Sequence, residues 1–134
     1  MEHQGLTQVI IGCAMTVHGT LGAGFLESIY QNALAHEIRK AGLRVEIETP
    51  IKVTYDGVVV GEFNADMLVE SKILIENKAV QAINTAHEVQ TVNYLTATGI
   101  DVGLLINFGA SRLEFKRKHR TFRPKPNSAA PNSG

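Results

Sequence analysis

This sequence of 134 residues has a single cysteine and no long apolar run. Its single cysteine, Cys13, excludes an internal disulfide, a multi-cysteine zinc site and a four-cysteine iron–sulfur cluster. The sequence has neither an apolar run long enough to cross a bilayer nor a charged-then-apolar leader. We therefore expect a cytoplasmic protein with no membrane segment, in which Cys13 is a packed thiol.

Net charge is absent as well, but the charges are unevenly spread. Basic and acidic residues number 13 each. Six of the basic residues lie between Lys116 and Lys125, which leaves seven against 13 acidic residues before Lys116, a net charge of −6. Length allows one domain. We predict that this domain covers residues 1–118 and that residues 119–134, rich in Pro, Asn, Ser and Gly, form a disordered basic tail.

Hydrophobic periodicity predicts an α/β fold. Apolar residues at helical spacing indicate three amphipathic helices, over residues 6–18, 26–41 and 85–99. Alternating or continuous apolar runs indicate strands over residues 45–53, 58–69, 73–79 and 103–108, with an edge strand over 113–116. A mixed central β-sheet flanked by helices is the natural closure, with a right-handed crossover through the third helix.

Turn and cap residues mark several boundaries. Asp56-Gly57 predicts a hairpin turn between the first two strands, because this dipeptide accepts positive φ. Gly42 is expected to cap the second helix. Thr85 and Glu88 predict a capping box that opens the third helix.

One segment, residues 64–79, places charge at the end of an apolar strand. Asp66 lies in the second strand, and the third strand ends in Glu76-Asn77-Lys78. Residues two apart on a strand share a face, so Glu76 and Lys78 point together. Half-burying two carboxylates beside an amine costs stability, so we expect these residues to have a function. Binding of a divalent metal ion is a common function of such residues.

The turn between these two strands decides whether the acids meet. A three-residue loop pairs Val69 with Ile73 and puts Asp66 opposite Glu76, with Cβ atoms about 5 Å apart. A two-residue turn would put Ile75 opposite Asp66 instead. We expect the three-residue loop, because it explains both acids.

Oxygen ligands favour Mg²⁺ or Mn²⁺ over zinc. Such an ion would lower the pKa of a bound water, which Lys78 would position. The alternative is a surface hairpin on which Glu76 and Lys78 form a side-by-side pair of little energetic value.

Polar residues on two helices are candidates for the same site. Glu27 shares the largely apolar side of the second helix with Tyr30, so we expect it to face inward; an acid favoured by the helix dipole is the alternative. On the third helix, His87, Gln90 and Tyr94 form a polar stripe, for which a solvated face is the alternative.

Together these motifs resemble the PD-(D/E)XK nuclease superfamily, from about residue 10 to residue 108. Asp66 with Glu76-x-Lys78 matches its core motif, and Gln90-x-x-x-Tyr94 is similar to its RecB-like exonuclease branch. Residues 24–30, Gly-Phe-Leu-Glu-Ser-Ile-Tyr, resemble the signature of small bacterial GxxExxY proteins. Ala65 stands where a proline is typical. Asn77 replaces an apolar residue, so we expect the strand to be less buried on that face.

The resemblance implies roles for individual residues. It implies four catalytic residues: Glu27, Asp66, Glu76 and Lys78. It implies metal ligation by Asp66, Glu76, Glu27 and the backbone carbonyl of Asn77, and substrate positioning by Gln90, Tyr94 and Tyr30. Basic residues expected to bind nucleic acid are Lys116, Lys118, Arg120 and Arg123.

Two functions follow from this reading. The first is a Mg²⁺-dependent nuclease that hydrolyses phosphodiester bonds, with DNA as the expected substrate. The second is a catalytically silent module that retains the fold and binds nucleic acid or a protein. No separate recognition domain is visible, so specificity is expected to come from a protein partner or a homo-oligomer.

Overall fold

The computed structural model describes residues 3–121, which form a five-stranded sheet with helices packed against it. The helices are α1 (Gln4–Leu21), α2 (Glu27–Lys40) and α3 (Thr85–Thr98). The strands are β1 (Val45–Tyr55), β2 (Val58–Val69), β3 (Ile73–Lys78), β4 (Val102–Asn107) and β5 (Glu114–His119). The strand order is β1-β2-β3-β4-β5, with β3 and β4 parallel and the other neighbours antiparallel. The predicted mixed sheet is confirmed.

The two faces of the sheet have separate apolar clusters. The larger joins α1 and α2 to one face, where Ile73 and Ile75 of β3 are fully buried. The smaller lies on the α3 side, where Leu74 packs with Leu95. Because side chains alternate along a strand, Glu76 and Lys78 fall on the same face as Leu74, toward α3.

The hairpin of β1 and β2 is longer than the rest of the sheet. Its pairs run from Val45 with Val69 to Tyr55 with Val58, whereas β3 pairs only with the last three residues of β2. Pro50 is tolerated because β1 is an edge strand, where a missing N–H leaves no ladder bond unmade.

The face that this hairpin presents changes along its length. Ile47 and Met67 belong to the α1/α2 cluster, whereas Phe63 and Ala65 belong to the α3 cluster. Glu48 lies at the change and has a left-handed backbone, with φ of 55°. The hairpin therefore turns from one layer to the other close to Asp66.

Two helix boundaries differ from the predictions. Helix α1 continues to Leu21 instead of ending at His18, and Gly22, with φ of 71°, terminates it. The capping box of α3 is formed by Asn84 and His87, not by Thr85 and Glu88. No helix within residues 3–121 is long and apolar enough to span a membrane.

The basic C-terminal segment stays in the sheet for longer than predicted. Strand β5 pairs with β4 as far as His119, and the Arg120 N–H donates to the Asp101 carbonyl at 2.9 Å. The predicted edge strand over residues 113–116 is therefore too short, since β5 ends at His119. The remainder of the predicted tail, residues 122–134, lies outside the described residues.

A close backbone contact holds the segment that follows β3. The buried Asn107 side chain accepts from the N–H groups of Val80 and Gly109, and donates to the Val80 carbonyl and to Glu114. A Cβ added at Gly109 would lie 2.4 Å from the Val80 backbone. Only glycine therefore lets the end of β4 approach the residues after Lys78 this closely.

We predict that Gly109→Ala lowers the free energy of unfolding by about 1–3 kcal/mol, because the backbone must move apart. Gly12→Ala is the matched control, since no atom lies within 4 Å of the added Cβ and α1 gains helix propensity. The control is expected to raise the free energy of unfolding by up to about 1 kcal/mol. Urea denaturation measures both, and equal effects would contradict the close-approach explanation.

Candidate active site

The β2–β3 turn has the predicted three-residue loop. Val69 pairs with Ile73 and Met67 with Ile75, so the next opposed positions are Asp66 and Glu76. At these positions hydrogen bonds from backbone N–H groups to carboxylates replace the backbone–backbone hydrogen bonds of the sheet. The Asp66 N–H donates to Glu76 Oε2 at 3.2 Å, and the Asn77 N–H donates to Asp66 Oδ2 at 2.8 Å. The two acids therefore lie side by side where β2 and β3 separate.

The environment of both acids favours their protonated forms. Glu76 is only 4% exposed, and burial followed by the Asp66 charge raises its pKa to about 8. Burial raises the pKa of Asp66 to about 6, and the charges of Glu48 and Glu27 add to the effect. The Lys78 charge and the backbone N–H bonds act in the opposite direction on both carboxyls, but they do not overcome the loss of hydration.

This donor set fits a divalent cation. The hydrogen bonds within residues 3–121 engage only one oxygen of each carboxylate, which leaves the other for a ligand. Buried oxygen donors with raised pKa values are stabilised as anions when a cation lies between them. No three His, Cys, Asp or Glu side chains in the described chain are grouped closely enough to hold an ion. The site is thus a pair of carboxylates, with Glu27 acting on them through its charge.

Asn77 does not expose the strand as expected. Its side chain is 1% exposed, and its Nδ2 donates to Met67 Sδ at 3.1 Å. Within the described residues its Oδ1 has no hydrogen-bond partner. The expectation of a less buried face at Asn77 is therefore wrong, because Met67 and the α1/α2 cluster cover it.

Glu27 is positioned by the loop before it. It is the first residue of α2, after Leu26 at the N-cap, and it is exposed, so the expectation that Glu27 faces inward is wrong. The hydroxyl of Tyr30 accepts from the Phe25 N–H at 3.1 Å and donates to the Gly22 carbonyl, so it fixes this loop. Because Tyr30 is fully buried, it cannot touch a substrate directly, and the expected substrate-positioning role is corrected to one of holding the loop.

The residues expected on α3 are placed differently from one another. Tyr94 packs against the α3 cluster that contains Ala65 and Leu74, the neighbours of the acids on β2 and β3. Desolvation, and then the charges of Glu76 and Asp66, raise the pKa of Tyr94. Its ring stacks on Phe63 of β2, with centroids 3.7 Å apart. Gln90 is exposed on α3, and His87 is used in the cap of that helix.

Comparison with known proteins agrees with this geometry. A family model described as the PD-(D/E)XK nuclease superfamily matches residues 4–118. The chain belongs to the PD-(D/E)XK nuclease superfamily. No match was found among the curated proteins.

A solved structure titled "Crystal structure of SSO0001" is similar to this superfamily member. It shares 16% sequence identity, with a TM-score of 0.55 over 90% of this chain and 61% of that chain. This chain therefore spans about three-fifths of the length of that structure. At such low identity the likeness shows the fold alone.

Two site neighbours in this superfamily member were missed from the sequence. Glu48 of β1 accepts a hydrogen bond from Gln31 Nε2 at 2.9 Å, and its charge raises the pKa of Asp66. Phe63 supports Tyr94. Alternation along β2 places Phe63 and Ala65 on one face, but nothing in the sequence reveals the left-handed backbone that brings Glu48 near Asp66.

The basic residues expected to bind nucleic acid do not form one free patch. Lys118 pairs with Glu88 at 2.9 Å, and Arg120 pairs with Asp101 at 2.8 Å. Lys116 is exposed on β5, whereas Arg123 lies outside the described residues. The Lys118 and Arg120 charges are thus already partly balanced within the domain.

We predict that Glu76→Gln raises the melting temperature of the metal-free protein at pH 8 and has little effect near pH 5. A carboxyl with a raised pKa binds its proton more tightly in the folded state, so the folded protein loses stability as pH rises from about 4.5 through about 8. At about 1.4 kcal/mol per pKa unit, the gain at pH 8 is on the order of a few kcal/mol.

Thermal melting in the presence of a chelator at the two pH values measures this effect. Glu62→Gln, at an exposed acid of the same hairpin, is the control. A Glu76→Gln gain that is equal at both pH values would contradict a titration origin.

Proposed function

We propose that this protein is a nuclease that hydrolyses phosphodiester bonds of DNA with a metal-activated water. Its metal ion would be Mg²⁺, and Mn²⁺ would substitute for it. The supporting observation is the pair of a half-buried Asp66 and a buried Glu76, which lie side by side at separating strand ends, with the Lys78 charge acting on both. Residues 24–30 and Gln90-x-x-x-Tyr94 favour a GxxExxY protein related to the RecB-like branch.

Each residue has a distinct task in this proposal. Asp66 and Glu76 would hold the ion through their free oxygens, together with the Asn77 carbonyl oxygen. When bound, the ion would polarise the phosphodiester and lower the pKa of a water. Lys78 would orient that water and stabilise negative charge that develops on phosphorus.

Three further residues complete the assignment. Glu27 would accept a hydrogen bond from the ion's water shell, while Tyr94 and the exposed Gln90 would contact the substrate. We further propose that a second copy of the chain or another protein supplies specificity, and that the protein acts in the cytoplasm.

One observation favours a second candidate, a silent module that binds nucleic acid or protein. Among residues 3–121 no three His, Cys, Asp or Glu side chains are gathered for an ion, so only two carboxylates are available as side-chain ligands. The affinity for Mn²⁺ distinguishes the two candidates. A nuclease must bind the ion at Asp66 and Glu76, whereas a catalytically silent module need not bind it.

We predict that the purified protein binds Mn²⁺ in calorimetric titration and cleaves DNA in its presence. Asp66→Ala and Glu76→Ala are expected to abolish measurable binding. Lys78→Ala is expected to retain binding and to lower the cleavage rate by at least about 100-fold, since it removes a group that acts in the transition state. Lys72→Ala, an exposed lysine in the β2–β3 loop, is the matched control.

Cleavage that persists in Glu76→Ala would point to a contaminating nuclease. Mn²⁺ binding that is unchanged in both acid variants would reject the metal site itself.

A further inference from the structure

Apolar side chains are exposed on both sides of Glu27. Leu26 is 74% exposed and Phe25 is 46% exposed, and Ile29 follows in the first turn of α2. We call Phe25 and Leu26 the apolar pair. Single exposed apolar residues are ordinary on a protein surface, but two in succession beside a candidate active-site acid need a reason.

Leu26 breaks a local preference of helices. It is the N-cap of α2, with an extended backbone and no side-chain cap to the first N–H groups. Ser, Thr, Asp or Asn at this position would satisfy one of those groups and typically add about 1 kcal/mol of stability. An exposed leucine at the cap therefore lowers stability without burying apolar surface, which is the pattern of a position kept for function.

The buried side chain of Tyr30 holds the apolar pair in place. The buried Tyr30 hydroxyl bonds both the Phe25 N–H and the Gly22 carbonyl, and the Phe25 and Tyr30 rings meet edge to face at 6.2 Å. Gly22 and Gly24 have positive φ, which gives the loop a shape that other residues rarely adopt. The pair is thus presented to solvent by a fixed loop, and a ligand would not need to order it.

The surroundings of the pair are acidic. Glu27 follows it directly, at the start of α2, and Gln31 one turn later bonds Glu48 of the hairpin near Asp66 at 2.9 Å. The Glu27 charge acts on both Asp66 and Glu76, so the pair lies on the side of α2 that faces the acid site. Glu48 adds another negative charge near Asp66. A duplex presents its charged phosphates and keeps its base faces stacked inside, which suits this surface poorly. An unpaired base presents a neutral face, and stacking on an aromatic ring is worth about 1–3 kcal/mol.

We propose that Phe25 and Leu26 contact an unpaired nucleobase next to the phosphodiester at Asp66 and Glu76, which makes single strands and unpaired ends the substrate. This inference rests on the proposed nuclease function. It adds the class of substrate and two residues that select it.

The test compares a polymer with a substrate that lacks bases. Fluorescence anisotropy measures binding of a short single-stranded oligodeoxythymidylate and of a duplex, and hydrolysis of bis(p-nitrophenyl) phosphate reports on the acids alone. Leu26→Ser and Phe25→Ala are expected to weaken single-strand binding by about 5-fold to 100-fold, the range that stacking energies give. Hydrolysis of the small diester is expected to stay within about twofold of wild type.

Leu26→Ser has a second readout, because serine caps α2. The variant is expected to melt at a higher temperature than wild type while it binds single strands less well, a combination that loss of folding cannot produce. Val59→Ser, at an exposed apolar residue of the β1–β2 hairpin, is the matched control and is expected to leave binding unchanged.

Three results would overturn the proposal. The first is single-strand binding that is unchanged in both variants, and the second is tighter binding of the duplex than of the single strand by the wild-type protein. The third is a wild-type dimer that becomes a monomer in Leu26→Ser, as measured by light scattering. That result would assign the apolar pair to an interface with a second copy of the chain. Wild-type protein that binds single strands but hydrolyses neither the oligodeoxythymidylate nor bis(p-nitrophenyl) phosphate would reject the nuclease function. The proposed contact of Phe25 and Leu26 with a base would not be contradicted by that result.

Discussion

The site depends on the point at which β2 and β3 stop pairing through their backbones. After Met67 and Ile75, each strand offers its next N–H to a carboxylate of the other strand instead of to a carbonyl. The exchange keeps the buried N–H groups of Asp66 and Asn77 bonded while it fixes both carboxyls. Had the ladder continued, the acids would still face one another, but nothing would hold them in one orientation.

The rest of the sheet makes this arrangement hard to relax. Every residue of β4 is buried, and β4 pairs with the whole of β3, from Ile73 to Lys78. Asn107, at the end of β4, binds the backbone just after Lys78. With β3 held along its length, Glu76 cannot swing into solvent, so the desolvation that raises its pKa is built into the fold. Ion binding and folding stability are therefore linked at the same carboxyl.

Much of this could be predicted from the sequence, and the failures have a common cause. Periodicity predicts the helices and strands, and the requirement that two acids meet predicts the loop length at Val69 and Ile73. Features set by contacts between distant segments were missed. Glu48 approaches Asp66 because its backbone is left-handed and Gln31 of α2 binds it, and Asn107 of β4 holds the backbone at Val80. Local pattern alone does not contain these contacts.

Departures from local preference are concentrated around one end of the sheet. The buried Glu76 lies beside the half-buried Asp66, Asn77 has a buried oxygen with no partner in residues 3–121, and Leu26 is the N-cap of α2. Other positions follow the usual rules, as in the Asn84 cap and the hairpin turn at Asp56-Gly57, but Tyr55 and residues 58–60 beside that turn are also exposed. Residues whose local preferences match their position in the structure stabilise a fold. Residues whose preferences conflict with their position lower stability and are retained when function needs them. The departures at Asp66, Glu76 and Asn77 therefore mark a candidate site on energetic grounds, in addition to the family match.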